Sequence, residues 1–312
     1  MPVSSGQNDL NPLFSVIVPT FNRQQTIRRA IDSIFAQSVI NLEVIVVDDG
    51  SLDETSAVMA DYTDVRMKYI RHTTNLGQNA ALNTGVKAAD GEFVAFLDSD
   101  DEWQPTFLER VLQLFSRNGD LGCVYTWANI VDETTGRIEV AEKFEATGDI
   151  YAEALSQGYV SHMITLVTRR RLLFEVGLFD EEFEVCQDDD ICIRLAKVTR
   201  FGLISEPLAT IYSDAGDQIN RDTQKHADGA LKLVDKFSRE ILLHCGPITL
   251  SNHYERCGDL FWLANNYLNG LESYSRAYHL AASPRLILKR AGIKLRIAPA
   301  IAQRLQQGLS LF

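Results

Sequence analysis

The stretch that decides the fold is FVAFLDSDD, residues 93–101, in which five apolar side chains run directly into a cluster of aspartates. A short, uninterrupted apolar run is typical of a strand that is buried on both faces of a sheet. The segments FSVIVP (14–19) and LEVIVV (42–47) have a similar composition, and the second runs into Asp48 and Asp49. We therefore predict buried strands whose carboxyl ends carry acidic side chains.

Helical segments separate these strands. The expected helices lie at 24–37, after the acidic pair at 53–54, at 79–89 and from Pro105, which we place at a first helical position. With a further strand at 66–71, the order becomes β-α-β-α-β-α-β-α, which implies a parallel, doubly wound sheet. Ligands of such sheets bind outside the carboxyl ends of the strands, so the acidic clusters at 48–49 and 98–101 should meet in one crevice.

The remainder of the chain divides into a mixed region and a helical one. Strand candidates are 123–126, 163–168, 201–204 and 209–212, a helix is expected at 189–197, and 222–312 looks helical throughout. We predict an N-terminal tail (1–12), a catalytic domain (13–220) with a nucleotide-binding half (13–118) and an acceptor half (119–220), and a helical C-terminal region (221–312).

Bulk properties narrow the class of protein. A net charge of −12 argues against nucleic acid as a partner, because phosphate binding needs a basic surface. No run of 18 uncharged apolar residues occurs, so we expect no transmembrane helix. The odd number of cysteines, five, with no CxxC pair, favours free thiols in a reducing compartment. We expect a cytoplasmic protein, at most peripheral at the inner face of the membrane.

Asp98 and Asp100 have the spacing of a site for a divalent cation. Mg²⁺ and Mn²⁺ prefer carboxylate oxygens together with the phosphate oxygens of a substrate, and a metal held in this way stabilises a departing diphosphate. An Asp-x-Asp triplet also serves as a turn or a helix cap. Asp48 and Asp49 also have two interpretations. They belong to a strand-to-helix turn, or they accept hydrogen bonds from the base or ribose of a nucleotide.

QDDD at 187–190 is a third acidic cluster, and it precedes a helical pattern. The first turn of a helix favours acidic side chains through the helix dipole, so capping is one interpretation. Three adjacent carboxylates also repel one another, and such crowding raises a carboxyl pKa and can produce a general base.

Taken in order, these motifs resemble family 2 of the inverting glycosyltransferases, which have the GT-A fold. The resemblance covers about residues 14–212. The matching stretches are SVIVPTFNR (15–23), VVDDGS (46–51), NLG (75–77), AALNTG (80–85), DGEFVAFLDSDD (90–101), GLFDE (177–181) and QDDDICIRLA (187–196). Each stretch is modest alone, but the ordered set is highly specific.

The resemblance implies an α/β fold of the Rossmann-like GT-A type, with a mostly parallel mixed sheet flanked by helices and an α-helical C-terminal appendage. It implies that Asp100, with Asp98, binds Mn²⁺ or Mg²⁺. It also implies that Asp188 is the base that deprotonates the acceptor hydroxyl during a single, inverting displacement. The residues implied to bind the nucleotide-sugar donor are Pro19, Thr20, Asn22, Asp48, Asp49, Asp98 and Ser99.

Three positions depart from the family pattern. Gln187 replaces the usual Glu before the base, Leu82 replaces a usual Arg, and Ser213 begins a stretch where many relatives have the Arg and His that reach the diphosphate. Arg221, or Lys225 just beyond it, is a candidate replacement for the lost contact.

Several further residues are weaker candidates for contact with the donor or the acceptor. Trp103 either flanks the donor sugar or packs in the core, and His162, Gln187 and Asp189 lie near the expected acceptor side. The segment 284–312 is basic, so its helices either pack on the protein or lie on an anionic membrane surface, which would suit a lipid-linked acceptor.

The predicted enzyme transfers a hexose or N-acetylhexosamine, from a UDP-sugar, to a glycan or lipid-linked glycan, in polysaccharide biosynthesis. One alternative is a catalytically silent module that binds a nucleotide-sugar or a glycan. Another is a sugar nucleotidyltransferase, but that class usually has a Gly-rich signature with Arg and Lys near the first strand, which PTFN at 19–22 lacks.

Overall fold

The computed structural model describes residues 11–141, 144–213 and 222–295. The strands in these ranges are β1 (Phe14–Thr20), β2 (Leu42–Asp48), β3 (Met67–Arg71), β4 (Phe93–Phe96), β5 (Glu102–Trp103), β6 (Leu121–Asp132), β7 (Ile138–Val140), β8 (Leu166–Arg169) and β9 (Arg200–Ser213). The α-helices are α1 (Ile27–Phe35), α2 (Thr55–Ala60), α3 (Gln78–Ala88), α4 (Phe107–Arg117), α5 (Tyr151–Gln157), α6 (Arg170–Glu175), α7 (Gln187–Ala196), α8 (Thr223–Leu263), α9 (Tyr267–Leu280) and α10 (Pro284–Leu295).

All of these strands belong to one mixed sheet, in the order β3-β2-β1-β4-β8-β6-β9-β5, with β7 paired to β6. The first four strands are parallel to one another, as the alternating pattern predicts. β8 is antiparallel to both β4 and β6, whereas β9 is parallel to β6. The predicted fold class is confirmed, and the carboxyl ends of β1, β2 and β4 meet at one edge of the sheet.

The central strands are buried because their side chains are apolar on both faces. Every residue of β1 and of β2 is buried. Two polar residues in these strands satisfy each other, since the Ser15 hydroxyl donates to Glu43 at 2.6 Å. Burial of polar groups costs little when they are hydrogen-bonded in this way, so the pair is compatible with the core.

The structure corrects the predicted start of the fourth helix. α4 begins at Phe107, with Thr106 at its N-cap, and Pro105 lies in the turn before it. The two residues of β5 stand between the Asp-x-Asp triplet and this turn, and they pair with β9. The sequence pattern missed β5 because two residues are too few to show a period.

The structure also joins two predicted strands into one. The candidates at 201–204 and 209–212 are both part of β9, although Glu206 and Pro207 interrupt the apolar pattern between them. The register against β6 shifts on both sides of Trp127, which pairs with Pro207. Such an irregularity accommodates a proline that cannot donate to the ladder.

The chain forms two compact units. The first comprises 1–149, 161–181 and 198–214 and contains the whole sheet; the second comprises 150–160, 182–197 and 215–312 and contains α5, α7 and α8–α10. In the second unit, α8 is kinked at Gly246, whose φ is 84°, immediately before Pro247. The domain boundaries proposed from the sequence stay a prediction. No helix in the described ranges is both long and apolar enough to cross a membrane.

Candidate active site

The Asp-x-Asp triplet follows β4 at the carboxyl edge of the sheet. Asp98 and Asp100 are half-buried, whereas Asp101 is buried and accepts a hydrogen bond from the Tyr212 N–H at 2.9 Å. Burial raises the pKa of Asp101 well above its usual range, and the charges of Asp98 and Asp100 add to this effect. Asp101 therefore anchors the loop to β9, and Asp98 and Asp100 are the more exposed carboxyl groups.

Two arginines border this triplet, and the sequence pattern singles out neither. The Arg23 Nε lies 3.5 Å from the Asp100 Oδ2. Arg29 donates to the backbone carbonyl of Asp100 and pairs with Glu133 at 2.7 Å. Its guanidinium also lies 3.5 Å from the centre of the Tyr212 ring, a cation–π distance. Arg29 thus holds the backbone of the loop, while Arg23 faces a carboxylate.

The loop after β1 is tied to the turn after β2. The Asn22 N–H donates to the Ser51 hydroxyl at 2.9 Å, and the Asn22 side-chain oxygen accepts from the Leu52 N–H at 2.8 Å. Asn22 has a φ of 53°, a left-handed conformation that Asn adopts more readily than most residues. The neighbouring Thr20 hydroxyl oxygen is buried and has no hydrogen-bond partner among the described residues. A buried polar atom of this kind is suited to a ligand.

Asp48 is fully buried, and its carboxylate is engaged within the protein. It accepts from the Ser51 N–H at 2.8 Å and from the Tyr69 hydroxyl, and the Arg71 Nε lies 3.5 Å away. Burial and the hydrogen bond to Asp48 raise the pKa of Tyr69. These contacts give Asp48 a structural role at the end of β2, and its contact with the nucleotide stays a prediction.

Asp49 organises the loop that follows β3. It accepts from the N–H groups of Leu76 and Gly77, at 3.0 and 2.8 Å, and lies 2.6 Å from the His72 Nδ1. The His72 Nε2 is 3.0 Å from the Thr84 hydroxyl of α3. One buried carboxylate therefore connects β2, the loop and α3, which explains why the NLG stretch belongs with the Asp-Asp pair.

The aspartates of the third cluster lie in the first turn of α7, in the second unit. Asp190 is 1% exposed and pairs with the Arg194 Nε at 2.9 Å and with the Lys236 Nζ at 2.6 Å. This residue was not among the predicted site residues, and its ion pairs fix α7 against α8. Asp188 and Asp189 are each half-buried.

Asp189 lines a cavity of about 100 Å³ within the second unit. The cavity wall is mainly apolar, and its polar members besides Asp189 are Gln157, His226, His253 and Arg256. Burial raises the pKa of Asp189 to about 8, the charge of Asp188 adds to the rise, and Arg256 opposes it. His253 donates through its Nε2 to the Leu155 carbonyl at 2.9 Å, and burial lowers its pKa.

Other predicted site residues have varied positions. Trp103 is buried in the core, where its indole N–H donates to the Ile164 carbonyl at 2.7 Å and its ring stacks on Phe107. It therefore has little surface to offer a donor sugar. His162 precedes a short 3₁₀ turn, and its carbonyl accepts from Thr165. Arg221 lies outside the described residues.

Two cations in the described part of the basic C-terminal segment, Arg285 and Lys289, form ion pairs. Lys289 is buried and lies 2.7 Å from Glu255 and 2.6 Å from Asp259, and Arg285 lies 2.7 Å from Glu255. These pairs favour packing of α10 on the protein, which was one of the two interpretations. Residues 296–312 lie outside the described ranges.

The carboxylates fit an open metal site that a substrate would complete. In the described ranges, no group of three or more His, Cys, Asp or Glu side chains forms a ready cage for a metal ion. Mg²⁺ is typically held by one or two carboxylates together with substrate phosphates. Asp98 and Asp100, two hard oxygen donors at a strand end, fit such a site in chemistry and number.

Comparison with known proteins places the chain in a family. Residues 15–171 match the model of Glycosyl transferase family 2, and the chain belongs to that family. An amylovoran biosynthesis glycosyltransferase, AmsB of Erwinia amylovora, is 31% identical over 64% of this chain and 69% of its own length. An uncharacterized glycosyltransferase of Rickettsia prowazekii is also 31% identical, over 62% of this chain and 61% of its own length. The match thus spans less than two thirds of the Rickettsia protein.

Solved structures share the fold. S. aureus TarS (1–349) in complex with UDP-GlcNAc superposes with a TM-score of 0.73 at 20% identity, over 95% of this chain and 92% of that one. The mannosyltransferase PcManGT from Pyrobaculum calidifontis, in complex with GDP-Man and Mn²⁺, gives a TM-score of 0.57 at 20% identity, over 97% and 82%. At this identity the similarity shows the fold alone, and it confirms the predicted GT-A architecture.

Proposed function

We propose that this protein is an inverting glycosyltransferase that uses a divalent metal and a nucleotide-sugar donor. The observation that carries the proposal is the carboxyl edge of the sheet. There, two half-buried carboxylates, Asp98 and Asp100, follow β4, and the unpartnered Thr20 hydroxyl ends β1. Membership of glycosyl transferase family 2 supports the same conclusion.

The donor side of the site is formed by residues of the first unit. Asp100, assisted by Asp98, would hold Mn²⁺ or Mg²⁺, and the metal would neutralise the diphosphate as it leaves. The Thr20 hydroxyl would hydrogen-bond to the nucleotide, and Ser99 and Asn22 would lie beside it. Asp48 and Asp49 would shape this pocket by fixing the loops around it, through the contacts described above.

Asp188 is the best candidate for the base among the three neighbouring aspartates. Asp190 is held by two cations. With a pKa of about 8, Asp189 is mostly protonated at neutral pH. Asp188 would take the proton from the acceptor hydroxyl while that oxygen attacks the anomeric carbon, and the nucleoside diphosphate would leave from the opposite face.

The substrates are proposed from chemistry and relatives together. The donor is a UDP-linked hexose or N-acetylhexosamine; the TarS complex with UDP-GlcNAc has the same fold. The acceptor is a glycan or lipid-linked glycan of polysaccharide biosynthesis, the process for which AmsB is named.

The test separates donor binding from catalysis with two variants, Asp100→Asn and Asp188→Asn. We expect UDP with Mn²⁺ to stabilise the wild type against heat, and Asp100→Asn to lose most of that stabilisation. Asp188→Asn should bind UDP as the wild type does, but its hydrolysis or transfer of a UDP-sugar should fall by about 100-fold or more, the range for loss of a general base. Nucleotide binding is measured by calorimetry and thermal shift, and turnover by release of UDP.

An exposed aspartate serves as the control, and Asp228→Asn should match the wild type in both measurements. The proposal fails if no nucleoside diphosphate binds with either metal. Binding of a donor without turnover under any condition would instead indicate a catalytically silent module.

A further inference from the structure

Arg23 connects the nucleotide loop to the Asp-x-Asp triplet. Its backbone N–H donates to the Thr55 hydroxyl at 2.9 Å, which fixes the residue at the end of the loop. Its Nη1 donates to the Asn22 carbonyl at 3.4 Å, and its Nε lies 3.5 Å from the Asp100 Oδ2. Both side chains of this ion pair are 34% exposed, so the guanidinium has room to move.

This position conflicts with a metal ion on Asp100. The guanidinium of Arg23 carries a positive charge beside this carboxylate. A divalent cation bound to the same carboxylate would be repelled by it at close range. Either Arg23 moves when the metal binds, or it weakens metal binding.

The diphosphate of the donor offers Arg23 a new partner. Arg29, the other arginine at the triplet, is engaged by Glu133, by Tyr212 and by the Asp100 carbonyl. Neither Leu82 nor Ser213 can supply a cation. Among the described residues at this edge, Arg23 is therefore the cation that pairs with Asp100, the proposed metal ligand.

We propose that Arg23 couples the binding of metal and nucleotide: it pairs with Asp100 when the site is empty and pairs with the donor's diphosphate when the metal occupies Asp100. This inference rests on the proposed function, because it assumes that Asp100 binds the metal. Coupling of this kind is reciprocal, so the nucleotide increases the affinity for the metal by the same factor as the metal increases the affinity for the nucleotide.

The experiment is a pair of titrations on Arg23→Gln, with Arg28→Gln as the matched control. Arg28 follows Arg23 in the sequence, lies on α1 and pairs with Asp61 at the surface. Mn²⁺ binding without nucleotide is followed by electron paramagnetic resonance of the free ion, and UDP binding at saturating Mn²⁺ by calorimetry.

The two titrations should shift in opposite directions. Arg23→Gln should bind Mn²⁺ alone about twofold to fivefold more tightly, the range for loss of a half-exposed competing ion pair. It should bind UDP with Mn²⁺ about tenfold more weakly, because a charge-assisted contact to the diphosphate is lost. Arg28→Gln should leave both affinities at the wild-type values.

Several outcomes would overturn the inference. If Arg23→Gln weakens both affinities or changes neither, Arg23 does not couple the two ligands. Arg23→Lys keeps the charge and should restore at least part of the coupling; loss of coupling equal to that of Arg23→Gln would also count against it. If the wild type binds neither Mn²⁺ nor UDP, the proposed function fails. If Asp100→Asn abolishes binding while Arg23→Gln behaves as Arg28→Gln does, only the role of Arg23 fails.

Discussion

At the residue scale, the clearest result is that two adjacent aspartates, Asp189 and Asp190, have different environments. Successive residues of a helix point about 100° apart, so neighbours in sequence face different surroundings. Asp190 faces Arg194 and Lys236, and Asp189 faces a mainly apolar cavity. Local sequence pattern did not separate the aspartates of this cluster, because their chemistry is identical and both capping and catalysis were open; only the family resemblance distinguished Asp188.

The raised pKa of Asp189 predicts a dependence of stability on pH. The pKa of Asp189 in the folded protein, about 8, exceeds its ordinary value of 3.8. Between these two pH values, Asp189 is therefore protonated in the folded protein and ionised in the unfolded chain. The stability associated with that proton is present at low pH and is lost as the pH rises toward 8. Asp189→Asn removes the titrating group.

We therefore expect the melting temperature of Asp189→Asn, relative to the wild type, to increase as the pH is raised from 5 to 8.5. Thermal unfolding followed by circular dichroism at several pH values measures this difference. The exposed Asp228→Asn should show a constant difference across the range. An equally constant difference for Asp189→Asn would contradict a carboxyl group that stays protonated beside the cavity.

At the element scale, the kink in α8 arises from two residues. Gly246 has a φ of 84°, a left-handed conformation that costs little only for glycine, and Pro247 cannot donate a hydrogen bond to the preceding turn. A Gly-Pro pair favours a break in a helix, and α8 is kinked at this pair. Among the described residues, and apart from its chain neighbours and the nearby helix backbone, no atom lies within 4 Å of the position a Gly246 Cβ would take, so a substitution there tests the backbone alone.

The predicted effect of Gly246→Ala is a loss of stability. At the φ of 84° and ψ of 172° of Gly246, a residue with a Cβ is strained by about 1–3 kcal/mol, and the free energy of unfolding should fall by about that amount. Gly292→Ala is the matched control, because Gly292 lies in the regular helix α10 and also has open space at its Cβ. Since alanine favours a helix over glycine by about 0.5–1 kcal/mol, this control should stabilise the protein.

Denaturation by urea measures the free energy of unfolding of both variants. A gain in stability for Gly246→Ala would show that the kink does not depend on the positive φ of Gly246.

At the scale of the whole molecule, the second unit is assembled from segments distant in sequence. Its helix α8 packs on α5 and α9, and α5 packs on α7. Buried apolar residues of α5 and α7, such as Leu155 and Ile191, belong to this unit. The C-terminal helices therefore complete the surroundings of α7, the helix that carries Asp188.

Removal of residues 214–312 should accordingly leave a chain that does not fold normally. Without α8, the apolar side chains of α5 would be exposed, and exposed apolar surface of this kind promotes aggregation. We expect the 1–213 fragment to be mostly insoluble or to lack a cooperative thermal transition. A control chain that ends at residue 295 should keep the wild-type transition. A well-folded, monomeric 1–213 fragment would contradict this prediction and support the boundary drawn at 220 from the sequence.

The sequence alone determined the alternating strands and helices, the acidic ends of β2 and β4, and the family, because these depend on local periodicity and on motifs in a fixed order. The tertiary structure decided which polar groups serve structure and which remain at the candidate site. Asp48, Asp49, Asp101 and Asp190 find partners far away in the chain, and such pairings cannot be derived from local pattern. Arg23 and the Thr20 hydroxyl acquire their significance in the same way, since only the folded sheet brings the ends of β1 and β4 to one edge.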